Sequence, residues 1–379
     1  MNMRDLLSAM VKAKASDLYL TADSPPLLRI EGRTQPVNEV RLSAQQVEEM
    51  ANTIMSEKQK AAFAETMEMN LALYEPAVGR FRVNMYRQRA CVGIVIREIR
   101  LDVPTIDEWK LPQILKDLSM TKRGLVIVVG GTGTGKSTTL AAMVNHRNSH
   151  ATGHIVTVED PIEFIHQHKK SIVSQREIGM DTHGYAEALK NTLRQAPDVI
   201  LVGEIRDAET MEAAITFAET GHLCLSTLHA NNANQAIERI MNFFPPIRHD
   251  QIYFQLSLNL KAIISQRLIP TFDGKRAAAI EILIDSPRVK DLIMKRRIDT
   301  IKEAMAQGTR EGMQTFDQAI FELYKAGRIA YENAIAYADS VNDVRLRIKM
   351  EGLAARGEGE KPPEPSQDLR IKPELKQAR

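Results

Sequence analysis

GLVIVVGGTGTGKSTTLAAMV, residues 124–144, is the stretch on which the fold turns. It opens with a short apolar run, GLVIVV, that reads as a buried strand, and closes with TTLAAMV, which reads as helix. Between them GGTGTGKS, residues 130–137, fits G-x-x-x-x-G-K-[ST]. The chemistry demands that arrangement. Glycines let backbone N–H groups turn inward around phosphate oxygens, and a helix N-terminus adds partial positive charge. Gly130, Gly131, Thr132, Gly133, Thr134, Gly135, Lys136, Ser137 and Thr138 are the candidate phosphate contacts of bound ATP. Lys136 would reach the β- and γ-phosphates, and Ser137 would offer its hydroxyl to Mg²⁺.

Outward from this loop, apolar runs at 154–158, 198–202 and 222–227 alternate with helical stretches. The alternation indicates a mostly parallel sheet covered by helices. Two of these runs end in carboxylates. VTVEDPIEF, residues 156–164, carries Glu159, Asp160 and Glu163 where a strand would open onto the ligand crevice. Carboxylates there can hold hydrated Mg²⁺ or orient a water. DVILVGE, residues 198–204, places Gly203 where many P-loop enzymes carry Asp, which leaves Glu204 as the strand-end carboxylate and the expected Mg²⁺ contact through water. In TGHLCLSTLHANNA, His222 and His229 bracket a third strand, and His229 could hydrogen-bond the γ-phosphate.

The first hundred residues read as a separate small α/β domain. A helical stripe covers 3–14, short strands fall at 17–21 and 27–30, and Ser43 and Ser56 stand as caps of helices to 55 and 64. Residues 80–87 and 91–99 read as paired strands bearing Arg82 and Arg97. By position alone these arginines read as surface ion pairs, although arginine can also stabilise a transferring phosphoryl group from a neighbouring subunit. Residues 101–123 read as a linker with a short helix. A strand pair is expected after Pro270, with a strand at 277–284, followed by helices at 287–295 and 315–326. The Pro- and charge-rich end, 351–379, reads as a disordered tail.

Composition sets the outer limits. The chain has 379 residues, is 26% charged with a net charge of +2, and has 44% hydrophobic but only 5% aromatic residues. No concentrated basic stripe or set of stacking aromatics marks a nucleic-acid translocase, so no nucleic acid is expected. Cys91 and Cys224 sit in apolar runs and cannot build a four-cysteine zinc site. The N-terminus is charged every few residues, unlike a signal peptide, and no apolar run approaches a bilayer span. A cytoplasmic protein, peripheral to any membrane, is the expectation.

GGTGTGKSTTLAAM, VTVEDPIEFIHQ, LRQAPDVILVGEIRD and AETGHLCLSTLHANNA together resemble the secretion ATPases of type IV pili, in the PilT/PilU retraction branch. The resemblance runs from ASDLYLTADSPPLLRIEG near the start to about Lys349. NTLRQAPDVI, HLCLSTLHANNANQA and YADSVNDVRLRIK lean to the PilU side. It implies a PAS-like N-terminal domain over 1–100 and a RecA-like P-loop ATPase domain with C-terminal helices over 124–350. It also implies a homohexamer at the cytoplasmic face of the inner membrane, with a PilT-type paralogue and a pilus platform protein as partners. Glu163 then falls on the acidic-box general base, Glu204 on Walker B, His222 and His229 on the His box, and Arg82 and Arg97 on the sensing arginines. One departure stands out. PilT proteins carry a helix motif resembling AIRNLIRE, where residues 288–295 here read RVKDLIMK. That counts against autonomous retraction and suits an accessory paralogue, and an accessory or regulatory ATP-binding subunit is the alternative reading.

Overall fold

The computed structural model describes residues 2–30, 33–99 and 102–352. The expected tail lies, from residue 353 onward, outside the described residues. The chain is α/β as expected, built on two sheets. Strands β1 (Asp17–Thr21), β2 (Leu27–Ile30), β3 (Arg33–Pro36), β4 (Glu68–Glu75), β5 (Gly79–Gln88) and β6 (Cys91–Ile99) make an antiparallel sheet in the order β3-β2-β1-β6-β5-β4. Strands β7 (Gly124–Val129), β8 (Gly153–Glu159), β9 (Ser171–Glu177), β10 (Val199–Val202), β11 (Leu223–Leu228), β12 (Leu260–Pro270) and β13 (Arg276–Ile284) make the other, in the order β13-β12-β7-β11-β10-β8-β9. By packing, the chain forms two compact units: Met1–Trp109 with Ala141–Glu204, and Lys110–Leu140 with the chain from Ile205 onward.

In the first unit, the helix Met3–Lys12 buries Leu6, Leu7 and Met10 in the same core as Leu18 and Leu20 of β1, Phe81, Val83 and Met85 of β5, and Ile94 and Ile96 of β6. The period-two alternation on the strands and the helical stripe therefore meet in one hydrophobic layer. Ser43 and Ser56 cap the helices Ala44–Ile54 and Glu57–Thr66, each in a reciprocal box with a glutamine three residues on. Also in this unit, β8 runs parallel to β9 and β10, pairing Val158 with Val202. The chain segments after β8 and β10 thus leave the sheet side by side.

In the second unit, β7 is buried on both faces along its whole length, as expected of an interior parallel strand. It pairs parallel with β11, Val129 opposite Leu228, and with β12, Val129 opposite Ser265. That register sets the loop after β7 and the loop after β11 beside each other. The strand pair was expected beyond Pro270. It is instead β12 and β13, hinged across residues 271–275, with Pro270 the last residue of β12. The helix His249–Asn259 runs into β12 without Gly or Pro, so nothing in that stretch marks the change of period. Strands β3, β4 and β9 were also not foreseen. All three are edge strands, and β3 is fully exposed and ends in proline. The helices Phe316–Lys325, Tyr331–Ala336 and Val341–Met350 close a separate cluster on Ile269 and Ala279.

Gln266 of β12 underpins the glycine-rich loop. Its side chain is 4% exposed and accepts a hydrogen bond from the buried Thr139 hydroxyl at 2.7 Å. A Cβ at Gly130 would lie 2.7 Å from the Gln266 carbonyl oxygen, and one at Gly135 would lie 3.0 Å from its amide nitrogen. Thr139→Val would strand the Gln266 amide oxygen in the core. The expected cost is about 1–3 kcal/mol in urea unfolding, and an unchanged midpoint would show that the brace is dispensable.

Candidate functional site

The loop between β7 and the helix Lys136–His150 has the shape its glycines predict. Gly130, Gly133 and Gly135 have φ of 154°, 75° and 91°, a region that side chains disfavour. A Cβ at Gly130 would also meet the Thr134 hydroxyl at 2.5 Å. The Thr134 hydroxyl itself donates to the Gly131 carbonyl at 2.9 Å, tightening the turn. The Lys136 ammonium curls over the loop and donates to the carbonyls of Gly130 at 3.0 Å and Gly131 at 2.9 Å. Lysine and loop are thus held as one concave, cationic cradle at a helix N-terminus. A polyphosphate fits it, because the N–H groups, the lysine and the helix end all favour anionic oxygens. Ser137, the residue after Lys136, and Glu204, which follows β10, are each hard oxygen donors of the kind Mg²⁺ takes.

His229 stands at the end of β11 and shares a cavity of about 310 Å³ with Gly130 and Gly131. Asn231, Gln235, Glu238, Arg239 and Asn242 also line it, the last four along one face of the helix Ala233–Asn242. That helix is anchored from below. Buried Glu281 of β13 accepts from the Ala233 amide at 2.8 Å and from the Ser265 hydroxyl at 3.0 Å. Burial pushes the Glu281 carboxyl above its ordinary value. His222 stands at the other end of the same strand. Its Nδ1 lies 3.0 Å from the Thr220 hydroxyl and 3.2 Å from the Phe217 carbonyl oxygen. The six residues of β11 separate the two histidines, roughly 23 Å over seven residue steps, so the chain does not bring His222 to the cavity of His229.

The acidic candidates gather in the other unit, where β8 and β10 end together. Gly203 donates its N–H to the Val158 carbonyl at 2.8 Å, and Glu204 follows. Glycine at 203 has a spatial cause. A Cβ there would stand 3.0 Å from the Tyr185 hydroxyl, 3.1 Å from the Glu159 Cα and 3.2 Å from the Val158 carbonyl oxygen. The aspartate of the usual pattern has no room. Glu159 is enclosed: the Thr157 hydroxyl donates to it at 2.6 Å and the Gln175 amide at 3.2 Å. Burial lifts its carboxyl to about 7, opposed by those two bonds and reinforced by the charge of Glu163. Sequence reasoning noted Glu159 but did not separate it from its neighbours, and it had no signal for the Gln175 that comes to it from β9.

Arg82 and Arg97 are cross-strand partners on β5 and β6. Arg97 is committed within the chain. Its Nε donates to the buried Asp17 carboxylate at 2.9 Å, and its Nη2 makes an ion pair with the same oxygen at 2.9 Å. Removing Arg97 would leave that carboxylate, among the described residues, with Arg29 at 3.9 Å as its ion-pair partner. Arg82 is half-buried, and its charge favours the ionised form of Glu177 on β9.

Two outcomes are expected from this geometry. Gly203→Ala should cost about 1–3 kcal/mol, read as a lowered thermal midpoint, because two of its three neighbours are backbone atoms. A midpoint equal to the parent's would mean that the strand ends relax freely. The second outcome concerns pH. The folded value of Glu159 lies above the ordinary 4.5. Its contribution to stability is therefore complete below about pH 4.5 and is lost as pH rises through about 7. Glu159→Gln escapes that loss. It should gain on the parent by something of the order of 1–3 kcal/mol between pH 5 and pH 8, and parallel urea-unfolding curves at both pH values would contradict this.

Residues 4–351 match the family model described as Type II/IV secretion system protein. The chain is 56% identical over 351 residues to the type IV pilus ATPase PilU of Pseudomonas aeruginosa, covering 92% of each chain. It is 42% identical over 334 residues to the pilus retraction ATPase PilT of the same organism, covering 88% of this chain and 97% of that one. The crystal structure of the pilus retraction motor PilT with bound ADP superposes with a TM-score of 0.86 at 38% identity, over 91% of this chain and 99% of that one. A cradle for nucleotide phosphates, strand-end carboxylates and this likeness along nearly the whole chain agree: the chain belongs to the type II/IV secretion system protein family, in its PilT/PilU group.

Proposed function

We propose that this protein is an ATP hydrolase that powers or assists type IV pilus retraction. The observation that carries the proposal is the cradle itself: three positive-φ glycines, a lysine held over them and a helix beginning at that lysine. In this reading the backbone amides of residues 130–138 and the Lys136 ammonium bind the β- and γ-phosphates. Ser137, and Glu204 through water, hold Mg²⁺. When bound, Mg²⁺ neutralises charge on the β- and γ-phosphate oxygens. Glu163 takes a proton from the attacking water, and His229 bonds the γ-phosphate and registers its departure. Arg82 and Arg97 act as sensing arginines, while His222 supports the strand that ends at His229.

The domain division follows the two sheets: a PAS-like domain over residues 1–100, a linker over 101–123 and a RecA-like domain over 124–350. As a homohexamer, the protein would turn each hydrolysis into a change in how its domains pack, passed to a platform protein at the inner membrane. Its likeness to the pilus ATPases PilU and PilT supports the pilus setting. Among the described residues no helix is long and apolar enough to cross a membrane, which is compatible with a peripheral position at the cytoplasmic face. The altered 288–295 segment favours action beside a PilT-type paralogue. It forms the helix Pro287–Met294, which buries Val289 and Ile293, half-buries Lys290 against Asp285 at 3.0 Å and leaves Arg288, Asp291 and Met294 exposed. Those three exposed positions, which differ from the motif, are open to partners.

The full chain with MgATP should release phosphate. Lys136→Ala should abolish binding of a fluorescent ATP analogue. Glu163→Gln should bind it normally while turnover falls about 100-fold or more. Normal turnover by Glu163→Gln would remove the general-base assignment, and normal binding by Lys136→Ala would remove the cradle.

A further inference from the structure

The loop that carries Glu163 is fastened by one face of the edge strand β9. Glu177 accepts from the Ile162 amide, the residue before Glu163, at 3.2 Å. Two residues back on the same face, Gln175 donates to the Phe164 carbonyl at 2.9 Å and accepts from the His166 amide at 2.8 Å. The loop is therefore held immediately before and immediately after Glu163. Glu177 is only 8% exposed, and its own amide donates to the Asp181 carboxylate at 2.8 Å. The neighbouring Ile178 amide donates to the Glu159 carbonyl at 2.9 Å, so β9 and the end of β8 are tied together below the loop.

A buried carboxylate is a costly way to hold one amide unless its charge is balanced. Here burial raises the Glu177 carboxyl above its ordinary value, the Ile162 bond and the charge of Arg82 on the antiparallel sheet oppose that rise, and Asp181 and Asp160 add to it. A neutral residue would fill the space of Glu177 more cheaply. An ionised one is the stronger acceptor for the Ile162 amide.

We propose that Glu177 is a positioning residue for ATP hydrolysis, fixing the Glu163 carboxylate through the Ile162 amide with Gln175 as the second clamp. This rests on the reading of Glu163 as the general base. In this role Glu177 acts through the Ile162 backbone and not on the nucleotide. Its loss should therefore leave binding intact and slow the chemical step, the signature of misplacement rather than of lost affinity.

The test is steady-state ATP turnover of the full chain, with thermal melting of each variant. Glu177→Ala should lower kcat about tenfold or more with KM for ATP within about twofold. Glu177→Gln keeps an oxygen for the amide and should restore most of the rate. Should Glu177→Ala fail to melt cooperatively, Glu177→Asp carries the same expectation, since it keeps the charge and falls short of the amide by one methylene. A parental kcat in Glu177→Ala, or a Glu177→Gln as slow as Glu177→Ala, overturns the positioning role while Glu163→Gln remains inactive. A Glu163→Gln variant that turns over at the parental rate overturns the base assignment first, and this proposal with it.

Discussion

Strand β7 has no exposed face, and that constraint governs everything around it. All six of its residues are buried, so it must lie between partners and under cover. Its parallel neighbours fix where it ends. Because Val129 faces Leu228 on one side and Ser265 on the other, the chain turns out of the sheet at Gly130. At that same level Gln266 lies beneath the loop and His229 emerges beside it. The cradle is in this sense a by-product of register. A slip of one residue in β12 would move Gln266 to the other face and remove the brace under Gly130 and Gly135. Burial of the apolar strand contributes the stability, roughly 1.5–3 kcal/mol for each fully buried Val, Leu or Ile. The glycines spend part of it on a backbone shape that few other residues adopt.

The carboxylate side follows a different logic. There, acidic groups are crowded where a sheet ends, and the structure controls their charge by enclosure. Glu159 is half-buried among Thr157, Gln175 and the Glu163 loop, and burial lifts its carboxyl to about 7. Glu177 is also raised by burial, with Arg82 opposing the rise. Neutral and charged carboxylates can then stand near one another without mutual repulsion deciding the geometry. Glycine at 203 belongs to the same economy of space, since the wall opposite it is the backbone of β8 and the hydroxyl of Tyr185.

What was legible in the sequence were features confined to a few consecutive residues. The glycine-rich loop with its strand and helix, the serine caps at 43 and 56, and the strands ending near Glu159 and Glu204 each carry their signal locally. Gln266, Glu281, Gln175 and Glu177 do not. Each is one polar residue in a strand, and its meaning comes from a partner 15 to 127 positions away or from a loop folded back onto it. Strand β9 escaped notice because its apolar content is only Ile172 and Val173 after two lysines, and Ile172 is itself 61% exposed. Gly203 was visible as a departure from the usual Asp, but its cause is a neighbouring backbone that no local pattern encodes. The two histidines of the His box look equivalent in sequence. The parallel register separates them, setting His229 beside the loop and His222 a strand length away.

The account stands or falls on nucleotide phosphates occupying the glycine-rich cradle. The most direct measurement is a structure of the full chain with a non-hydrolysable ATP analogue and Mg²⁺. The account requires the phosphates to lie within the amides of residues 131–138, with Lys136 moved from the Gly130 and Gly131 carbonyls onto phosphate oxygen. Phosphates bound outside the loop, or a Lys136 ammonium still on the Gly130 and Gly131 carbonyls, would contradict it.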